Sequence, residues 1–125
     1  MSFIEDLVDY IADNTSLVVD TDLFIGADQP NTPHKCVLIT EFAGGIASWS
    51  GHNTQPVQVL AKDLTYLTTQ YLAETVYTLI MNKAGFSDAN LSDVLFCEVL
   101  NSPFPIGRDK RGCYIFSSNF LFRMK

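Results

Sequence analysis

Hydrophobic residues recur along this chain in two rhythms, and the changes of rhythm mark its elements. At the start, Phe3, Ile4, Leu7, Val8 and Ile11 fall on one helical face, while Glu5, Asp6, Asp9 and Asp13 are left outward. Ser2 followed by Glu5 forms a capping box, and acids in the first turn suit the positive end of the helix dipole. These signals predict an amphipathic helix of about three turns, ending before Asn14. Residues 17–25 (LVVDTDLFI) are rich in β-formers but interrupted by Asp20 and Asp22, leaving one short strand near Leu23–Ile25. Gly26 then opens a turn-rich stretch. Cys36–Phe42 is a firmer strand, and its unbroken apolar segment Cys36–Ile39 predicts cover on both faces.

Residues 43–55 carry Gly44, Gly45 and Gly51 with Ile46 and the only tryptophan, Trp49, between them. Such a long loop is either functional or mobile, or a hairpin extension whose Trp49 folds back on the core. A strand over Pro56–Lys62 alternates Val57, Val59 and Ala61 against Gln58, Leu60 and Lys62. After Asp63, a candidate N-cap, a long helix runs to about Lys83, with Gly85 as its C-terminal cap. Its expected buried stripe is Leu64, Leu67, Tyr71, Leu72, Val76, Leu79 and Ile80. Its other face is weakly charged, which favours a second contact. Two strands finish the chain, Asp93–Leu100 and Cys113–Met124. Between them, Pro103 and Pro105 are expected to block regular pairing, and DKRG to form a tight turn. In the last strand Tyr114, Phe116, Ser118, Phe120, Phe122 and Met124 share one side. The order α-β-β-β-α-β-β implies an α+β domain, with a mostly antiparallel sheet flanked by a short N-terminal helix and one long helix.

Composition narrows this picture. At 125 residues and 13.9 kDa, the chain fits one domain over residues 1–125, and 47% apolar against 18% charged residues excludes disorder. No apolar run approaches the ~18–20 residues of a membrane span. The opening MSFIEDLVDY lacks the basic start of a signal peptide, so neither secretion by that route nor membrane insertion is expected. The net charge of −6 disfavours general nucleic-acid binding. That charge is also unevenly spread. Residues 1–34 hold seven acids and no Lys or Arg, whereas residues 108–125 hold five bases against Asp109. Unlike charges at the two ends can draw one copy toward the next.

Candidate chemistry is sparse. Cys36, Cys97 and Cys113 are odd in number, widely separated and set in apolar stretches, as reduced core cysteines are. No CxxC or HxxxH pair gathers a metal site around His34 or His52. Neither a nucleophile elbow nor a phosphate-binding glycine loop is present. Asp20, Asp22 and Asp28 lack the closing Glu of a calcium loop, and Asp6, Asp9 and Asp13 read as a solvated helix face. No catalytic residue, metal or cofactor is expected, and a binding or assembly role is favoured over an enzyme.

Two segments carry a family resemblance. The opening SFIEDLVDYIADNTSLVVDTDLFIGADQP, a helix leading to a strand that ends in LFIG, resembles the start of small phage minor capsid or tail-completion proteins. The closing PFPIGRDKRGCYIFSSNFLFR is similar to that family's ending, here with Gly107 and Asp109 in the turn and Phe116, Ser117, Asn119 and Phe120 in the strand. The resemblance spans nearly the whole chain, while the Gly44–Gln55 loop fits no pattern of the family. It implies a tail terminator of a long, non-contractile (siphovirus-like) tail. Such a protein is a structural virion component, assembled in the host cytoplasm, that forms a ring, as a hexamer, on the last ring of the tail tube. The ring stops polymerisation and faces the head-side connector, and DNA passes through its lumen.

The residues supply expectations of their own. A head-to-tail contact would join Arg108, Lys110 and Arg111 to an acidic neighbour surface holding Glu5 and Asp9, or to its 20–28 segment. The 43–55 loop, through Ile46, Trp49 and His52, would dock on tube or connector. Net negative charge would suit a wall along which DNA slides without sticking. The alternatives are another head–tail joining component, such as a stopper or adaptor, and a non-viral small-molecule-binding or enzymatic α+β domain.

Overall fold

The first periodicity is realised as α1 (Phe3–Asn14), which buries Ile4, Leu7, Val8, Tyr10 and Ile11 and leaves Glu5, Asp9 and Asp13 exposed. The structure is a computed structural model that describes residues 3–26, 33–41, 53–81 and 91–124. Ser2 and Gly85, the expected caps, therefore lie outside the described residues. Asn14 Nδ2 donates to Tyr10 O at 2.8 Å and Thr15 Oγ1 to Ile11 O at 2.7 Å, so side chains satisfy carbonyls that the ending helix leaves open.

The break at Asp20–Asp22 is a turn. Asp22 Oδ1 accepts from Val18 N–H at 2.6 Å, and Asp20 takes a left-handed φ of 66°. The expected short strand follows as β1 (Leu23–Ile25), and then β2 (Cys36–Glu41), whose Cys36–Ile39 are all buried. Four boundaries differ from expectation. The third strand, β3 (Asn53–Asp63), is longer, because Asn53–Gln55 pair with Met124–Phe122; the end of the expected loop is thus strand. Asp63 still pairs with Tyr114, so it cannot cap a helix. The N-cap of α2 (Tyr66–Ile80) is Thr65, whose hydroxyl accepts from Thr68 N–H at 3.2 Å, and the helix ends short of the expected Lys83, with Met81 as its C-cap in place of Gly85. The fourth strand, β4 (Val94–Arg108), runs straight through Pro103 and Pro105 and pairs with β5 (Tyr114–Met124). Prolines are tolerated there because β4 is an edge strand, and four register shifts absorb the misfit.

The sheet order is β1-β2-β3-β5-β4, antiparallel except for the β1–β2 pair. Both helices lie over the same face, α1 on β1 and β2, and α2 on β3, β5 and β4. Between them the core gathers Val37 and Ile39, Val57, Val59 and Ala61, and Phe116, Phe120 and Phe122. This is the α+β architecture expected. Phe120 and Phe122 have no exposure, and burying such a side chain contributes about 1.5–3 kcal/mol. Phe3 closes one end of this layer with its ring 5.0 Å from that of Phe122.

The stripe expected on α2 needs correction. Thr69, Leu72, Ala73, Val76 and Ile80 are buried, but Leu64, Leu67 and Tyr71 are 53%, 73% and 75% exposed. At about 100° per residue, Leu67 stands roughly 180° and Tyr71 roughly 140° from Val76. The apolar positions belong to two opposite faces.

Candidate functional site

The basic end of the chain forms the turn between β4 and β5, and one carboxylate organises it. Asp109 Oδ1 accepts from Arg111 N–H and Cys113 N–H, each at 2.9 Å. Asp109 N–H donates to Cys113 O at 2.9 Å, and Gly112 N–H returns to Asp109 O at 3.0 Å. Gly112 sits at a φ of +86°, where a side chain would strain the backbone. Asp109 Oδ2 lies 2.7 Å from Lys62 Nζ, and the Lys62 side chain is only 2% exposed. Burial alone would raise the Asp109 pKa. The Lys62 hydrogen bond, the Cys113 and Arg111 amides and the Lys62 charge outweigh it and hold the carboxyl at about 2. The turn is thereby pinned to β3 with its cations outward. Arg108 donates from Nε and Nη2 to Gly112 O at 3.3 Å and lies 4.7 Å over the Tyr114 ring, and Lys110 is exposed.

A groove of about 520 Å³ opens on the helix side, where residues 15–17, just after α1, approach the outer face of α2 and the Asp63 end of β3, which pairs with Tyr114 beside the hairpin. Leu17, Leu67, Tyr71 and Leu72 give it apolar walls, with Lys35 and Asp63 at the rim. Tyr71 also lines a shallower extension with Glu74, Thr75 and Thr78. Along the free edge, Phe96, Leu100, Phe104 and Ile106 of β4 are 40–49% exposed. The register sets Phe96 against Arg123 and Phe104 against Ser117, on the face away from the helices.

Among the described residues, groups suited to catalysis do not converge. Among the described residues, no three His, Cys, Asp or Glu side chains gather to hold a metal, and His34 is exposed. Cys36, Cys97 and Cys113 are buried and form no disulfide. Burial, reinforced by the Glu98 charge, pushes the Cys97 thiol up to about 12, and burial likewise raises Cys113. Among the described residues, no helix is long and apolar enough to cross a membrane.

Exposed apolar side chains thus gather on the outer face of α2 and along β4. The model of the bacteriophage tail terminator protein family matches residues 10–125, nearly the whole chain. The chain belongs to the bacteriophage tail terminator family. No curated protein sequence matches it. As a member of that family it is a structural protein of the phage tail, a virion component that meets other tail components.

In this tail terminator family member, the residues expected at a subunit contact fall into two separate groups. Glu5 and Asp9 share the exposed side of α1, over the β1–β2 part of the sheet; Arg108, Lys110 and Arg111 share the hairpin that ends β4 and β5. Glu5 and Asp9 precede the span matched by the family, whereas the hairpin, the α2 groove and the β4 edge lie within it. Ile46, Trp49 and His52 lie outside the described residues. Neither the groove nor the apolar edge was foreseen from sequence. The helical angle of Leu67 and Tyr71 would have revealed the first; nothing local signals the second, because the two prolines disguise a continuous strand.

Proposed function

We propose that this protein is the ring, formed by six copies, that closes the head-proximal end of the tail tube of a long, non-contractile-tailed phage. It stops tube polymerisation, offers its other face to the head-side connector, and leaves a lumen through which DNA passes. The family match over residues 10–125 carries this reading. Unlike charges on separate elements support it: Arg108, Lys110 and Arg111 of one copy would meet acids of the next, Glu5 and Asp9 among them. A heterologous contact of this kind closes into a ring when successive rotations add to a full turn. The net charge of −6 per copy suits a conduit that does not retain DNA. The loop bearing Ile46, Trp49 and His52 is the candidate contact to tube or connector.

Negative-stain imaging of the purified protein and of isolated tails tests the proposal. Six-fold rings at the head-proximal tip, and overlong tubes when the protein is omitted, are expected. Tails of normal length assembled without it, with the protein found on head vertices instead, would assign it to another joining role.

A further inference from the structure

The two outer strands of the sheet carry unlike charge at the same end. Leu23, Val37, Ala61, Phe116 and Pro105 pair in succession, so they form one row from the β1 edge to the β4 edge. Just beyond that row, on the same side of it, lie the turn that enters β1 and the hairpin that leaves β4. Residues 18–25 hold Asp20 and Asp22 and no Lys or Arg. Among the described residues no ion pair joins either acid to a base, Lys35 before the adjoining β2 included. Residues 102–113 hold exposed Arg108, Lys110 and Arg111, while their one acid, Asp109, is taken up by buried Lys62. At the usual strand spacing the two edges stand about 19 Å apart, so a chain cannot join its own hairpin to its own turn.

Both edges are also closed to backbone pairing at this row. Leu23 N–H donates to Val18 O at 3.2 Å and Leu23 O accepts from Asp20 N–H at 2.9 Å, so the turn occupies the free side of β1. On β4, Pro103 and Pro105 have no N–H to offer. Exposed apolar side chains accompany the charges on each edge, Val18 and Ile25 on one, Phe104 and Ile106 on the other.

We infer that the β4–β5 hairpin of one copy seats against the Asp20–Asp22 turn of the next, through side chains and not through an added strand. This rests on the ring reading above and specifies its subunit contact. A ring closes only when the joining surfaces lie at equal height along its axis, since any rise makes a helix. The turn and the hairpin meet that condition for copies set side by side, because one row of the sheet precedes both. Glu5 lies elsewhere. It opens the helix whose Phe3 packs on Phe122, about 20 Å further along β5 than Phe116, which leaves Asp20 and Asp22 nearest the hairpin. Unlike charges then set the orientation and the rate of approach.

Cross-linking tests it. Thr21→Cys combined with Lys110→Cys places thiols at two exposed positions. A bis-maleimide shorter than about 10 Å does not span the sheet, so it should link neighbouring copies into a ladder, in solution or on isolated tails. The native thiols are buried and contribute little background. Asp9→Cys with Lys110→Cys should give little linking. Charge exchange is the second readout. Thr21→Lys or Lys110→Glu alone should weaken self-association about 5-fold per contact at low salt, and the two together should restore most of it, with unchanged circular dichroism throughout. Absence of the Thr21–Lys110 ladder from protein that forms rings, or a ladder from the Asp9 pair in its place, overturns the inference and leaves the ring reading standing. So does a double charge variant that associates no better than the singles. Wild-type protein that remains monomeric both in solution and on tails overturns the two together.

Discussion

Replacing Asp109 by Asn probes how the basic hairpin is held, because the change keeps shape and removes charge. The amide oxygen can still accept from Arg111 and Cys113 N–H, but the amide nitrogen then faces Lys62 Nζ, donor against donor, across a 2.7 Å contact. Flipping the amide restores the Lys62 bond and spoils the two turn bonds. At least one charge-assisted hydrogen bond is lost either way, a change of about 1.5–3 kcal/mol. Proton linkage gives a second route to the magnitude. A carboxyl held at about 2 instead of about 3.9 contributes at most about 2.5 kcal/mol at neutral pH, reduced by the solvent reaching a turn residue that is 15% exposed. Both routes converge on about 2 kcal/mol.

The sign fixes the pH window. A depressed carboxyl stabilises the fold fully above about pH 4, and that contribution is lost as pH falls toward 2. Urea unfolding of wild type and Asp109→Asn across this range should show midpoints separated by about 1–2 M at pH 7 and converging below pH 4. A gap that persists unchanged at low pH would mean that the loss comes from turn geometry and not from the charge. Equal stability at pH 7 would refute the pinning of the hairpin by this pair. With the turn loosened, Arg108 and Arg111 are less fixed, so self-association should weaken even where the fold is intact.

Other outcomes follow from the same structure. Reversing Arg108, Lys110 and Arg111 together to Glu should abolish assembly and remove its salt dependence, read by sedimentation at rising ionic strength; unchanged assembly would exclude the hairpin from the contact. Deleting residues 43–52, which stops short of β3, should leave rings that no longer cap tails, scored by tail-length imaging. Phe120→Ala should cost about 3–5 kcal/mol in urea unfolding, because a fully buried ring packed near Tyr77 and Phe122 is removed from the centre of the core. Cys97 should resist alkylation in the folded protein, and because its pKa is raised by burial, stability should fall as pH rises from about 9 toward 12.

What the sequence revealed tracks how local the cause is. The twelve-residue alternation ending at Met124 gave both faces of β5, since a period of two repeated that often admits one register. The three residues of β1 were legible because Asp20 and Asp22 favour a turn immediately before them. Lys62 was legible only as a residue facing away from Val59 and Ala61. That it is buried depends on Asp109, which the β4–β5 turn brings back to it from far along the chain. The split of charge between the two ends was visible by counting. Its placement on different parts of the sheet was not, because strand order is set by long-range pairing of β3 with β5.

β4 poses the problem any assembling β-protein must solve. An edge of fifteen residues with apolar side chains on display invites unlimited strand addition. Its two prolines and four register shifts remove the regular donors and acceptors that such growth requires, yet they leave Phe96, Leu100, Phe104 and Ile106 available. An association through those side chains would then have to match a receptor of fitting shape rather than any passing strand. Only a limited set of orientations satisfies that demand. A contact confined to one orientation repeats with a fixed rotation, and a fixed rotation is the condition for a closed ring instead of a fibre.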